Sequence, residues 1–222
     1  MKTSSLYRLS GIVLISAAVL TVVSNIAITL LFPNTGPTVP ASAVMSPLWS
    51  PIWIMGCVGG VLLLFGLVGL YLRQAKLAGI VGVLGFLLTL LGVLFASIVA
   101  GFFFISVLPY LATKGGRAIE DGFSMVALFG LGGGVLLFLG TILLGISILR
   151  AAIFPRLVGI FMLVGGVLSP AAILGLNLVV SLIGSVSTIL LALSFAWIGM
   201  ILTRQHTVAE AEVPSSVQTA FR

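Results

Sequence analysis

Six long apolar stretches run through this chain, and no Asp, Glu, Lys, Arg or His falls within the central part of any of them. A helix needs about 20 apolar residues, at 1.5 Å each, to cross a hydrocarbon core of about 30 Å. The stretches read Leu9–Phe32, Ile52–Leu72, Leu77–Leu108, Phe123–Leu149, Leu157–Gly175 and Leu178–Leu202. They are unbroken rather than alternating in polarity, so they predict helices and not the strands of a membrane barrel. Only 6% of the 222 residues are charged, against roughly 25% in soluble domains. That is too few to clothe a water-facing surface. The expected fold is therefore all-α: one polytopic transmembrane bundle over residues 1–204, with the lipid bilayer as its principal partner.

The third stretch, at 32 residues, exceeds one crossing and must tilt, project or break, with Ala100-Gly101 as the natural place. The last two are separated only around Asn177. Two readings stand there: six crossings, or five with a re-entrant segment near Ser169-Pro170. The first stretch is too long for a signal-peptide core, and Ala41-Ser42-Ala43 lies far beyond its end, so it reads as a retained helix. Ile54-Met55-Gly56-Cys57 resembles a lipoprotein cleavage box but sits within the second stretch. Past Arg204 the periodic apolar pattern ends, and 205–222 reads as a disordered tail.

The net charge of +6 is arranged as an orientation signal and not as a nucleic-acid surface. Lys2, Arg8, Arg73, Lys76, Arg150, Arg156 and Arg204 fall on one side of an alternating six-span chain, and Lys114 and Arg117 on the other. The positive-inside rule then makes both termini cytoplasmic. The loop from Pro33 to Pro51 is proline-rich and uncharged, with Trp49 and Trp53 placed to anchor at the headgroup level or to form part of a lid.

Two internal matches suggest a parallel repeat of helices 2-3 and 4-5. Lys76-Leu77-Ala78-Gly79-Ile80 parallels Arg156-Leu157-Val158-Gly159-Ile160, and Gly69-Leu70-Tyr71-Leu72 parallels Gly145-Ile146-Ser147-Ile148. Duplication and the shared demands of two hairpin turns both account for this. The segment Leu144–Arg150 followed by Phe154-Pro155-Arg156-Leu157-Val158-Gly159, with Tyr7-Arg8-Leu9-Ser10-Gly11-Ile12 at the start, resembles an uncharacterised family of bacterial multi-pass membrane proteins grouped as a domain of unknown function. That resemblance implies a bacterial inner-membrane protein and supplies no catalytic residues.

The residues that carry chemistry are scarce. A single Cys57, a single His206 beyond the last stretch, and four carboxylates outside all six stretches give no convergent metal or haem site. Ser185, Ser187 and Thr188 lack an intramembrane base to activate them, and no nucleotide-binding glycine pattern occurs. No enzyme activity and no cofactor are expected. The polar side chains at depth are Asn25 and Asn177, suited to helix-to-helix hydrogen bonds. Specificity lies instead in glycine: Gly56 with Gly60, Gly130 with Gly134, and Gly79, Gly82 and Gly85. Such spacings let helix backbones approach closely, either within the bundle or against a second copy or membrane partner. A non-enzymatic scaffold or accessory subunit is the leading expectation, and a carrier or pore for an apolar or uncharged solute is the alternative.

Reporter fusions after residues 76 and 152 should read cytoplasmic, and fusions at Thr38 and Gly116 external. An external signal at Arg204 alongside these would replace six crossings with five.

Overall fold

The computed structural model describes residues 3–32, 40–114, 117–174 and 178–211, and among these all regular structure is helical. The helices are α1 (Thr3–Leu31), the short α2 (Ala41–Val44), α3 (49–78), α4 (80–114), α5 (Arg117–Ala151), α6 (Arg156–Leu174) and α7 (Leu178–Ala211). Helical hydrogen bonding runs on from α3 into α4, but Gly79 has φ 56° and ψ −167°, and the chain reverses there. Tyr71 and Phe86 stack across this reversal at 4.6 Å, so α3 and α4 form a tight antiparallel hairpin. Gly79 thus serves as the hinge of the turn and does not join the Gly82 and Gly85 stripe. Only glycine adopts this backbone without strain.

The long helices close into a ring in the order α1, α3, α4, α5, α6, α7 and back to α1. Every seam contains glycine. Along α4 and α5 the partners are Gly82 with Ser147, Gly85 with Leu144, Thr89 with Gly140, Gly92 with Leu137, and Ala96 with Gly133. These positions step by three and four residues alternately, the spacing of a left-handed antiparallel pair. At each level at least one partner is small. A Cβ added at Gly85 would lie 2.6 Å from the Leu144 backbone nitrogen, and one at Gly92 2.5 Å from that of Leu137. Gly66 and Gly69 meet Leu14 and Ser10 between α3 and α1, Gly145 and Gly159 face each other between α5 and α6, and Gly165 meets Leu191 between α6 and α7. The ring closes where a Cβ on either Gly11 or Gly199 would lie 2.6 Å from the other's carbonyl oxygen.

Two helices depart from regular α geometry, each for a visible reason. The over-long α4 widens into π-helix at Leu94–Val99 and again at Phe103–Val107, on either side of Ala100–Phe102. The break expected at Ala100-Gly101 is therefore a pair of widenings that leaves the helix continuous. In α6, Pro170 lacks the amide that would bond the Gly166 carbonyl, and Ser169 Oγ donates to that carbonyl instead at 2.8 Å. A neighbouring hydroxyl is one of the ways a helix carries proline at depth, and α6 continues to Leu174. Asn177 lies outside the described residues. At the other end of α7 the helix reaches Ala211, past the Arg204 position where hydropathy placed the start of the tail. Alanine and glutamate favour helix, a preference that hydropathy does not weigh.

The interior is sealed by an apolar plug of Leu14, Leu67, Leu70, Leu144, Ile148, Val158, Met162, Leu191, Phe195 and Ile198. It draws on five of the six ring helices, with Phe86 of α4 packed against it. Outward faces are apolar as well, with Phe65 67% exposed and Leu128 71% exposed. Continuous apolar exposure on every long helix is stable only when lipid is the solvent. Five helices are long and apolar enough to cross a membrane, and Arg156–Ala171 is a shorter apolar helix. The antiparallel packing gathers Arg8, Arg73, Arg150, Arg156 and Arg204 at one end of the ring, here termed the basic end.

The two glycines that the internal match superposes do different work. Gly79 turns the chain with nothing within 4 Å of an added Cβ, whereas Gly159 sits inside α6 against Leu149 and Gly145. The α5–α6 reversal falls earlier, at Ala152, a non-glycine residue with φ 51°.

Adding a side chain at a seam should be far worse than adding one outside it. Gly85→Leu and Gly92→Leu should each destabilise by at least about 3 kcal/mol, since backbone and not a flexible side chain must move. Gly130→Leu, with nothing within 4 Å, should change stability by less than about 0.5 kcal/mol. Ala152→Gly should stabilise by about 1 kcal/mol, because the left-handed conformation disfavours a Cβ by about that amount. Unfolding titrations in mixed micelles measure all four.

Candidate functional site

Three polar or aromatic clusters are built into the ring, at different depths. The first lies at the end opposite the basic one. Trp49, expected as an interfacial anchor, is fully buried, and its Nε1 donates to the Phe104 carbonyl at 2.8 Å. That carbonyl belongs to the second π-helical segment. Cys57 Sγ donates likewise to the Ser97 carbonyl, at 3.3 Å, in the first. Widening a helix weakens its own bonding pattern and frees carbonyls; α3 supplies donors for both segments. Trp53 stacks on Phe104 at 4.0 Å and 6°, Phe32 meets Trp49 edge-on at 5.3 Å, and Val44 of α2 closes the cluster from outside. The indole is held inside because the unusual α4 geometry offers it an acceptor there.

The second cluster lies deeper, between α1 and α7. Asn25 is half-buried, its carbonyl accepts from Thr29 Oγ1 at 2.9 Å, and Thr29 Oγ1 lies 3.4 Å from Ser185 Oγ. Asn25 Oδ1 is buried with no hydrogen-bond partner among the described residues. Ser185 and Thr188 bond back to carbonyls of their own helix, while Ser187 Oγ donates across to the Gly165 carbonyl of α6 at 2.7 Å. These hydroxyls tie the bundle together.

The third cluster, at the basic end, is absent from the sequence expectations. With the second stretch ending at Leu72, Gln74 falls in a turn. Because the reversal comes later, at Gly79, the helix carries Gln74 onto the inward face that Leu67 and Leu70 occupy. Gln74 is 0% exposed, and neither Oε1 nor Nε2 has a partner among the described residues. The adjacent Arg73 has a buried, unpartnered Nε, and its guanidinium lies 5.7 Å from the centre of the Phe154 ring in the α5–α6 turn. Tyr7 packs against the same core. Each unsatisfied buried polar group costs about 1–3 kcal/mol, and a cation–π contact returns about 0.5–2 kcal/mol. This end of the ring is therefore where an additional hydrogen-bonding partner would stabilise most. The only sequence signal was a glutamine beside an arginine near a helix end, and its meaning depended on where the turn lay.

Of the glycines expected to pack, Gly60 sits with an added Cβ 2.8 Å from Ser97 Cβ, and Gly56 with one 3.4 Å from Ser24 Oγ. Gly134 is buried, whereas Gly130 and its neighbour Gly132 meet nothing within 4 Å. The Gly11–Gly199 contact, which joins the first and last helices, and the α4–α5 levels were not anticipated.

Long apolar helices locked through small residues, with apolar flanks all round, define an α-helical multi-pass membrane protein. Beyond that class, comparison with family models, curated proteins and solved structures finds no match for this chain.

Trp49→Phe keeps the ring stacking but removes the indole donor, leaving the Phe104 carbonyl without that bond. A loss of about 1–3 kcal/mol is expected, measurable as a lowered unfolding midpoint.

Proposed function

We propose that the chain is a non-enzymatic accessory or scaffold subunit of the bacterial inner membrane, crossing it six times with the basic end in the cytoplasm. The observation that carries this reading is the division of labour among its glycines. All six seams of the ring consume glycine internally, and the apolar plug blocks the interior. Gly132 is left over on the outside of α5, on the face of exposed Leu128, Leu131 and Val135, whereas Gly130, two residues away, is half-buried on the opposite side of the helix. Phe129 stacks there with Phe95 and Phe103, at 6.5 Å and 6.1 Å. A glycine set among exposed leucine and valine, beside aromatic rings, suits close contact with another transmembrane helix. The family resemblance of the α5–α6 turn agrees with the proposed location. A carrier for a small uncharged solute is the second reading, favoured by the unpaired Gln74 amide alone.

A photo-crosslinking residue at Leu131, in native membranes, tests the proposal. Adducts to a protein, another copy or a different chain, are expected, and Gly132→Leu should reduce them at least tenfold while the folded yield is unchanged. Adducts to lipid alone would refute it.

A further inference from the structure

The Gln74 amide is the most thoroughly isolated polar group among the described residues, and its position gives that isolation a direction. It follows Leu67 and Leu70 on the inward face of α3, so it points into the ring one turn beyond the plug. A primary amide presents two donors and an acceptor, and here all are sealed without a partner. Arg73 Nε adds another unpaired donor from the next residue. Its guanidinium reaches across the end of the ring to Phe154, which is itself 4% exposed. Arg73 thus runs as a strap from α3 to the α5–α6 turn, next in sequence to the buried Gln74. The strap is held by attraction to one ring face, and three polar atoms beside it have no partner among the described residues.

The cheapest way to satisfy an amide and a guanidinium N–H together is a molecule that both donates and accepts and carries no charge. Water fits, and a site with several polar groups is what an internal water requires. The walls beyond, Leu67, Leu70, Leu144 and Ile148, are fully buried and offer it nothing. We propose that the basic end of the ring is a gated water inlet. Arg73 lifts from Phe154, water enters and bonds to the Gln74 amide and Arg73 Nε, and penetration stops at the plug. This goes beyond the scaffold reading and does not rest on it.

The chain has three glutamines, Gln74, Gln205 and Gln218. In a Gln205→Asn, Gln218→Asn variant reconstituted in liposomes, glutamine labelled with ¹⁵N at the side chain gives one amide signal. Water-edited solid-state NMR should show rapid transfer from water to Gln74 Nε2, with deuterium exchange complete within minutes. Phe154→Leu, which removes the ring face under the strap, should speed that exchange several-fold with the fold retained. Gln74→Leu should not raise the unfolding midpoint, because the amide is already satisfied. No transfer from water, with exchange as slow as for backbone amides of the plug, would overturn the inlet. So would a rise of several degrees in the midpoint of Gln74→Leu, which would mark a dry amide. Water contact with exchange unaltered in Phe154→Leu would overturn the gate.

Discussion

Close approach of helix backbones is the interaction on which this protein depends, because lipid leaves little else to hold helices together. Hydrocarbon chains are as apolar as leucine, so side-chain burial between two membrane helices gains nothing by leaving water. What remains is dispersion between well-fitted surfaces, weak Cα–H···O contacts and hydrogen bonds. Each requires short distances, and glycine supplies them. In this ring the role is distributed over every seam. The α4–α5 pair shows the logic best, since it puts at least one small residue at each level and leucine opposite glycine where space allows. The hydroxyls serve the same end, with Ser187 tying α7 to α6 and Ser147 Oγ reaching the Ala78 carbonyl at 3.4 Å.

The second theme is how irregular backbone is accommodated at depth. An unmet carbonyl is expensive in lipid, and each irregularity here has a matching donor. Pro170 is answered by Ser169 within α6, and the two π-helical segments of α4 by Trp49 and Cys57 of α3. Irregular geometry and the polar side chains that support it form one structural unit. The unpaired Gln74 stands out against this pattern, and that contrast gives the basic end its interest.

Much of the architecture could be read from the sequence, because the membrane imposes strict rules on length and charge. The start of α6 falls within one residue of the apolar stretch that predicted it, and the strain in the third stretch was placed at Ala100-Gly101, between the two π-helical segments. Helix ends were less legible, as with α5, which begins at Arg117 ahead of Phe123. Polar residues that end an apolar run do not end a helix. Pairing was less legible still. Gly11 and Gly199 look like any other glycines in leucine-rich sequence, and nothing local joins residues so far apart. The Gln74 cluster was hidden because shifting a turn by a few residues changes which face of a helix a side chain occupies.

Ring closure also has a consequence in time. Each helix in the ring except the first packs on one that precedes it in the chain, so the bundle can grow by adding neighbours as they are made. The seam between α1 and α7 differs: its two faces are the farthest apart in synthesis. Until α7 arrives, the Gly11 face of α1 has no partner from its own chain, and the edge of the incomplete bundle stays open to lipid or to a neighbouring protein. Assembly therefore has a low-contact-order phase followed by one long-range step. An incomplete ring that meets a second one at this stage holds the matching edge for an exchange of α7, the membrane counterpart of domain swapping.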